Sequence, residues 1–168
     1  MNSSFKVILN PEVAAFTEHL SKLPEADLKY VIFMCDYNDS PFWQLPDEVR
    51  DRKAMAKAYE NGEKPLPRPL IEAAMEEYRT LVWDEEQEQR RMLTNKIHRL
   101  NKALTAEESD SKIKGILNSI SLLKEQKSNL DKQLQAQADN IVIKGKRELS
   151  NMELWQRNQK RRKEYEQI

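Results

Sequence analysis

IKGILNSISLLKEQKSNLDKQLQAQADNI, residues 113–141, carries the most regular hydrophobic pattern in the chain. Ile113, Ile116, Ile120, Leu123, Lys127, Leu130, Leu134 and Ile141 fall on the a and d positions of a heptad, with Lys127 and Gln137 as polar breaks. A period of 3.5 residues belongs to a helix laid along another helix. The preceding segment supplies the partner: Ile71, Met75, Tyr78, Val82, Gln89, Leu93, Ile97, Leu100 and Leu104 mostly follow 3–4 spacing. Between the two, Thr105-Ala-Glu-Glu108 fits a capping box with Thr105 as N-cap and Glu108 at N3. Residues 70–139 are therefore expected to form a long antiparallel helical hairpin of coiled-coil character, with arms of about 35 residues and so roughly 50 Å. Lysine at an a position favours register or partner choice over maximal stability.

Upstream of the hairpin, Glu63-Lys-Pro65-Leu-Pro67-Arg-Pro69 places three prolines at alternate positions. Proline cannot sit inside a helix and favours an extended spacer, so this segment is read as a hinge. The region before it holds the dense apolar clusters and is expected to form three helices. Asn10-Pro11 reads as an N-cap followed by proline at the first helical position, with Val13, Phe16 and Leu20 on one face. Pro24 opens the second, whose Leu28, Val31, Ile32 and Cys35 form one stripe while Tyr30, Phe33, Met34 and Tyr37 cover the other side. A helix apolar all round is normally buried. Asp36 to Pro46 is a turn region made apolar by Phe42, Trp43 and Leu45, and Asp47–Tyr59 is the third helix, closed by Asn61-Gly62.

The fold class expected is all-α. It has a compact helical domain over 1–62, a proline-rich hinge over 63–69, the hairpin over 70–139, and an extended connector with a basic C-terminal helix over 140–168. The connector reading comes from Asn140-Ile-Val-Ile-Lys-Gly145, whose β-branched run suggests an extended segment or an added strand. Phe5–Leu9 is read as another extended arm. Ser150-Asn-Met-Glu153 fits a second capping box and opens a helix carrying Leu154, Trp155 and the cluster Lys160, Arg161, Arg162 and Lys163.

Composition narrows the function. The chain has 168 residues, with 28 basic and 28 acidic residues, only 3 glycines and 7% aromatics. Balanced charge gives no global reason to coat nucleic acid or an anionic membrane. The single cysteine, Cys35, excludes an internal disulfide framework and a cysteine-rich zinc site, and fits assembly in a reducing cytoplasm. The residues after Met1 lack the cationic and apolar regions of a signal peptide. The longest apolar run, Tyr30–Cys35, is far short of the ~20 residues a spanning helix needs, so no membrane is expected.

Chemistry is sparse. His19 and His98 lack partners at metal-ligand spacing, and Cys35 lies in the most apolar segment, where a thiol is inert. Asp36 and Asp39, with Asp27, Asp47 and Glu48 nearby, form a carboxylate cluster without the glycine and regular spacing of a calcium loop; Asx-turn and capping roles account for them. Phosphate-binding, nucleophile-elbow and dinucleotide motifs are absent from the sequence. No catalytic residue, cofactor or metal is expected. Asp84-Glu-Glu-Gln-Glu88 reads as a solvated face. From Lys144 to Ile168 there are eight basic and four acidic residues; Lys160, Arg161, Arg162 and Lys163 suit nucleic acid, an acidic protein neighbour, or plain solvation.

Tyr30-Val-Ile-Phe-Met-Cys-Asp36, Asp39-Ser-Pro-Phe42, Leu45-Pro46 and Arg50-Asp-Arg-Lys-Ala54 together resemble a pattern in small virion proteins of large tailed bacteriophages, crAss-like phages among them. The shared pattern is an aromatic-apolar helix, an Asp-x-x-x-Ser-Pro-aromatic turn, Leu-Pro, and a charged helix. The resemblance spans about 25 residues, omits the hairpin, and supplies no catalytic residue. It implies an oligomeric structural subunit of the virion at the portal, neck or tail baseplate, assembled in the host cytoplasm. Contacts with neighbouring protein subunits are then expected at Phe42, Trp43, Ile113, Ile116, Ile120, Leu123, Leu130, Leu134, Ile141 and Trp155. A cytoplasmic coiled-coil adaptor or scaffold is the alternative, and a nucleic-acid-binding accessory protein using the basic helix is a second.

Overall fold

The structure, a computed structural model, describes residues 11–37, 39–141 and 151–165. Among them the fold is all-α, with no strand. The helices are α1 (Pro11–Phe16), α2 (Glu25–Cys35), α3 (Asp47–Ala58), α4 (Arg68–Val82), α5 (Glu85–Ala106), α6 (Asp110–Ile141) and α7 (Asn151–Tyr165), with a 3-10 turn at Leu20–Lys22. The chain divides into two compact units, the first holding residues 1–83 and 148–168 and the second residues 84–147.

In the first unit α2 buries eight of its eleven residues, and α3 and α4 pack on it. Tyr30, Val31, Cys35, Ala54, Ile71 and Ala74 are each nearly or fully inaccessible. Pro24 precedes α2 and Pro46 precedes α3, each supplying the carbonyl that receives the first helical N–H. Acidic residues follow both prolines, where the helix dipole favours them. Gly62, at φ 86°, adopts the left-handed conformation that ends the turn after α3.

Several boundaries differ from the sequence reading. The proline segment 63–69 does not part the units. The Leu66 N–H donates to the buried Asp27 carboxylate at 3.2 Å, and Ile71, Ala74 and Met75 of α4 join the α2 core. The division falls after Trp83 instead. There the chain turns extended, and Asp84 starts α5 by accepting the Gln87 N–H at 2.9 Å. The acidic block 84–88 is thus an N-cap and a first helical turn, whose carboxylates suit the dipole. The first expected arm, 71–104, is accordingly two helices.

In the second unit α5 and α6 pack on each other. Thr105 lies inside α5, its hydroxyl donating to the Lys102 carbonyl, so it caps nothing. Glu107–Ser109 make the connection, and the Ser109 carbonyl receives the Ile113 N–H at 2.9 Å. The α6 helix runs through Asn140 and Ile141, where an extended connector was expected. By helix rise its 32 residues span roughly 48 Å, and the 22 of α5 roughly 33 Å. Phe5–Leu9, the rest of the connector and Ser150 lie outside the described residues.

Candidate functional site

The first unit concentrates its buried polar chemistry around α2. Arg50, 1% exposed, projects from α3 toward the end of α2. Its guanidinium donates to the carbonyls of Met34 (3.0 Å), Trp43 (2.7 Å) and Leu45 (2.9 Å), and lies 4.3 Å from the centroid of the Trp43 ring. One side chain thereby satisfies carbonyls at a helix end and in the following loop, groups that a helix cannot pair internally. The Ser40 hydroxyl donates to the Phe33 carbonyl at 2.6 Å, and Asp36 receives the Asp39 N–H at 2.7 Å. Its second oxygen accepts the Tyr78 hydroxyl at 2.5 Å. Burial, reinforced by that carboxylate, pushes Tyr78 far above the ordinary phenol range. Asp36 and Asp39 therefore form an Asx turn tied to α4.

A second polar group sits between α2, α3 and the proline segment. Asp27, 1% exposed, accepts the Tyr59 hydroxyl at 2.6 Å as well as the Leu66 N–H. Tyr30 donates to Asp51 and receives a bond from Arg68 at 3.1 Å. Burial and the adjoining carboxylates push both phenols up, which keeps them protonated hydrogen-bond donors.

The third group borders open space. Glu77 of α4 accepts the N–H groups of Glu18 (3.0 Å), His19 (3.0 Å) and Leu20 (2.9 Å), and meets His19 Nδ1 at 2.8 Å. Burial pushes its carboxyl up, but the bonds from Leu20 and His19 outweigh that and hold it below its ordinary value. The side chain anchors the 3-10 turn to α4. Beside it lies a cavity of about 420 Å³, walled by His19, Ala73 and Glu77 on one side and by Trp155, Gln159 and Arg162 of α7 on the other. Arg162 pairs with Glu76 at 2.5 Å and donates to the Thr80 hydroxyl at 2.8 Å.

The residues singled out by sequence are dispersed. Phe42 is half-buried, edge-on to Phe33, while Trp43 is buried between Tyr37 and Arg50. Ile120, Leu123 and Leu130 are buried in the second unit, and Ile113, Ile116 and Leu134 are half-buried along the same stripe. Ile141 ends α6, its side chain outside the description. Lys127 at its a position bonds Asp131 at 2.9 Å, and Arg90 of α5 reaches the same carboxylate. Trp155 lines the cavity. The basic cluster is not one surface: Lys160 and Lys163 are exposed, Arg161 lies 5.4 Å from the Trp83 ring centroid, and Arg162 turns inward. Sequence reasoning missed Arg50, Glu77 and Arg162 as buried or inward-facing anchors. The spacing Asp47-x-x-Arg50 was the only local trace, since their acceptors lie on other elements.

Among the described residues no group of three or more His, Cys, Asp or Glu side chains is placed to hold a metal ion, and no helix is long and apolar enough to cross a membrane. No protein-family model, no curated protein and no solved structure matches the chain.

Proposed function

We propose that this chain is a non-enzymatic structural subunit of a larger protein assembly, in which α5 and α6 form a long antiparallel hairpin that contacts neighbouring subunits. The observation that carries this reading is the thin core of the pair. Among the described residues α5 buries none, and the buried residues of α6 are Ile120, Leu123 and Leu130. Long helices so sparsely covered gain stability when further helices take their remaining faces. The contact surface on this reading is not the heptad stripe, whose central residues are already covered within the chain. It is the outward faces that carry Met92, Leu117 and Leu122, each about half exposed or more.

Support for the non-enzymatic part comes from the first unit, where Asp27, Asp36 and Glu77 are committed to backbone N–H groups, tyrosines and a histidine. Placement in a phage virion, at the portal, neck or tail, rests on the resemblance over residues 30–54. The turn geometry gives that pattern a physical sense, because Asp36, Ser40, Phe42 and Arg50 all serve to hold one loop on α2.

Sedimentation of the purified chain, with imaging and amide exchange, tests the proposal. A closed ring or other defined oligomer larger than a dimer, with α5 and α6 protected, is the expected outcome. A discrete dimer would favour the adaptor reading. A monomer at every concentration, with α5 and α6 amides exchanging slowly, would show the pair to be self-sufficient and overturn the assembly.

A further inference from the structure

α7 is attached to the first unit differently from the other helices there. α2 is embedded in apolar side chains, and α4 buries Ile71, Ala74 and Met75. Among the described residues of α7 only Asn158 is buried, and that residue is polar; Leu154, Trp155, Arg162 and Tyr165 are half-buried. The helix packs on α1 as well as α4, and its contacts with the α4 side include polar and aromatic ones. Arg162 bonds Glu76 and Thr80, Asn158 donates to the Leu81 carbonyl at 3.1 Å, and Tyr165 meets Trp83 edge-on with ring centroids 6.1 Å apart. The side chain of Glu76 is 56% exposed and that of Arg162 15%, so salt reaches the ion pair at the centre of this contact from the Glu76 side.

We propose that α7 is a releasable strap, held on α4 by a salt-sensitive polar latch centred on Arg162, and that its release dismantles the cavity it walls. Helices of about 15 residues are marginal in water on their own, so the released strap melts. Release uncovers Trp83, which is 8% exposed with the strap in place. It also separates Trp155, Gln159 and Arg162 from the wall formed by His19, Ala73 and Glu77, so the 420 Å³ space exists only in the docked state. Anything that fits that space, or that competes for Glu76 or Trp83, therefore shifts the balance between docked and released strap.

Trypsin reads the state of the strap directly, because Arg157, Lys160, Arg161 and Lys163 lie within α7. Cleavage of the full chain, followed by mass, is compared with cleavage after Lys53 of α3 in the same digest. In the wild type, raising NaCl from low to high concentration should speed α7 cleavage roughly threefold relative to Lys53, through screening of a partly exposed pair. Arg162→Ala should speed it on the order of tenfold at low salt, as bonds to a charged group are lost. The reversed pair, Glu76→Arg with Arg162→Glu, should restore protection. Cleavage unchanged by salt, unchanged by Arg162→Ala, or unprotected in the reversed pair would each overturn the latch.

Discussion

Arg50 shows how much one side chain decides here. Its charge is buried, and three backbone carbonyls from two segments depend on it. Arg50→Ala should therefore destabilise the first unit by about 3–5 kcal/mol, the range for removing one partner from a buried charged network. Arg50→Lys should recover only part of this, because an ammonium cannot reproduce the planar fork or its stacking on Trp43. Urea unfolding followed by tryptophan fluorescence measures both. Glu77 makes a pH-dependent contribution. Its folded carboxyl titrates below its ordinary value of 4.5, so its stabilisation is fully present above that pH and is lost as pH falls through the lower folded value. Glu77→Gln keeps the shape and removes that titration. The stability gap between wild type and Glu77→Gln should narrow as the pH is lowered below 4.5; a constant gap would contradict the assignment.

At the scale of elements, the heptad of α6 is spent inside the chain. Ile120 and Leu123 are 5% and 9% exposed, with α5 packed alongside. Changing both to aspartate places two charges in the seam, and the α5–α6 pair should unfold while the first unit persists. Circular dichroism should show the loss, since α5 and α6 hold 22 and 32 helical residues. Tryptophan fluorescence should stay native, because Trp43, Trp83 and Trp155 all lie in the first unit. Across the same seam Arg90 and Lys127 share Asp131, whose carboxyl is pushed up by partial burial but held below its ordinary value by the two cations. Such a shared polar contact fixes which residues of α5 and α6 face each other, where the aliphatic stripe would accept a shift by one heptad.

The first unit is assembled from two stretches of sequence, 1–83 and 148–168. Residues 84–147 form a separate compact body between two segments of the first unit. Two bodies with separate cores should unfold in two steps, with the thin-cored α5–α6 pair losing its structure at the lower urea concentration. The check is that circular dichroism falls before tryptophan fluorescence changes. Coincident curves from the two probes would mean one cooperative unit instead.

The helical class, the opening of α2 at Pro24 and the burial of α2 are legible from the residues alone, because local periodicity and fixed proline dihedrals act within a few residues. The spacing also marked the α6 stripe, of which Ile120, Leu123 and Leu130 are buried. The membership of α4 in the front core came from packing in three dimensions, since its apolar stripe reads the same whether it faces α2 or continues a hairpin arm. The break at Trp83 and Asp84 carried no glycine or proline to announce it. Arg50, Glu77 and Arg162 became legible only in three dimensions. Each is a charged residue on a helix, and what separates an anchor from a solvated surface charge is a carbonyl, an amide or a carboxylate supplied by another element.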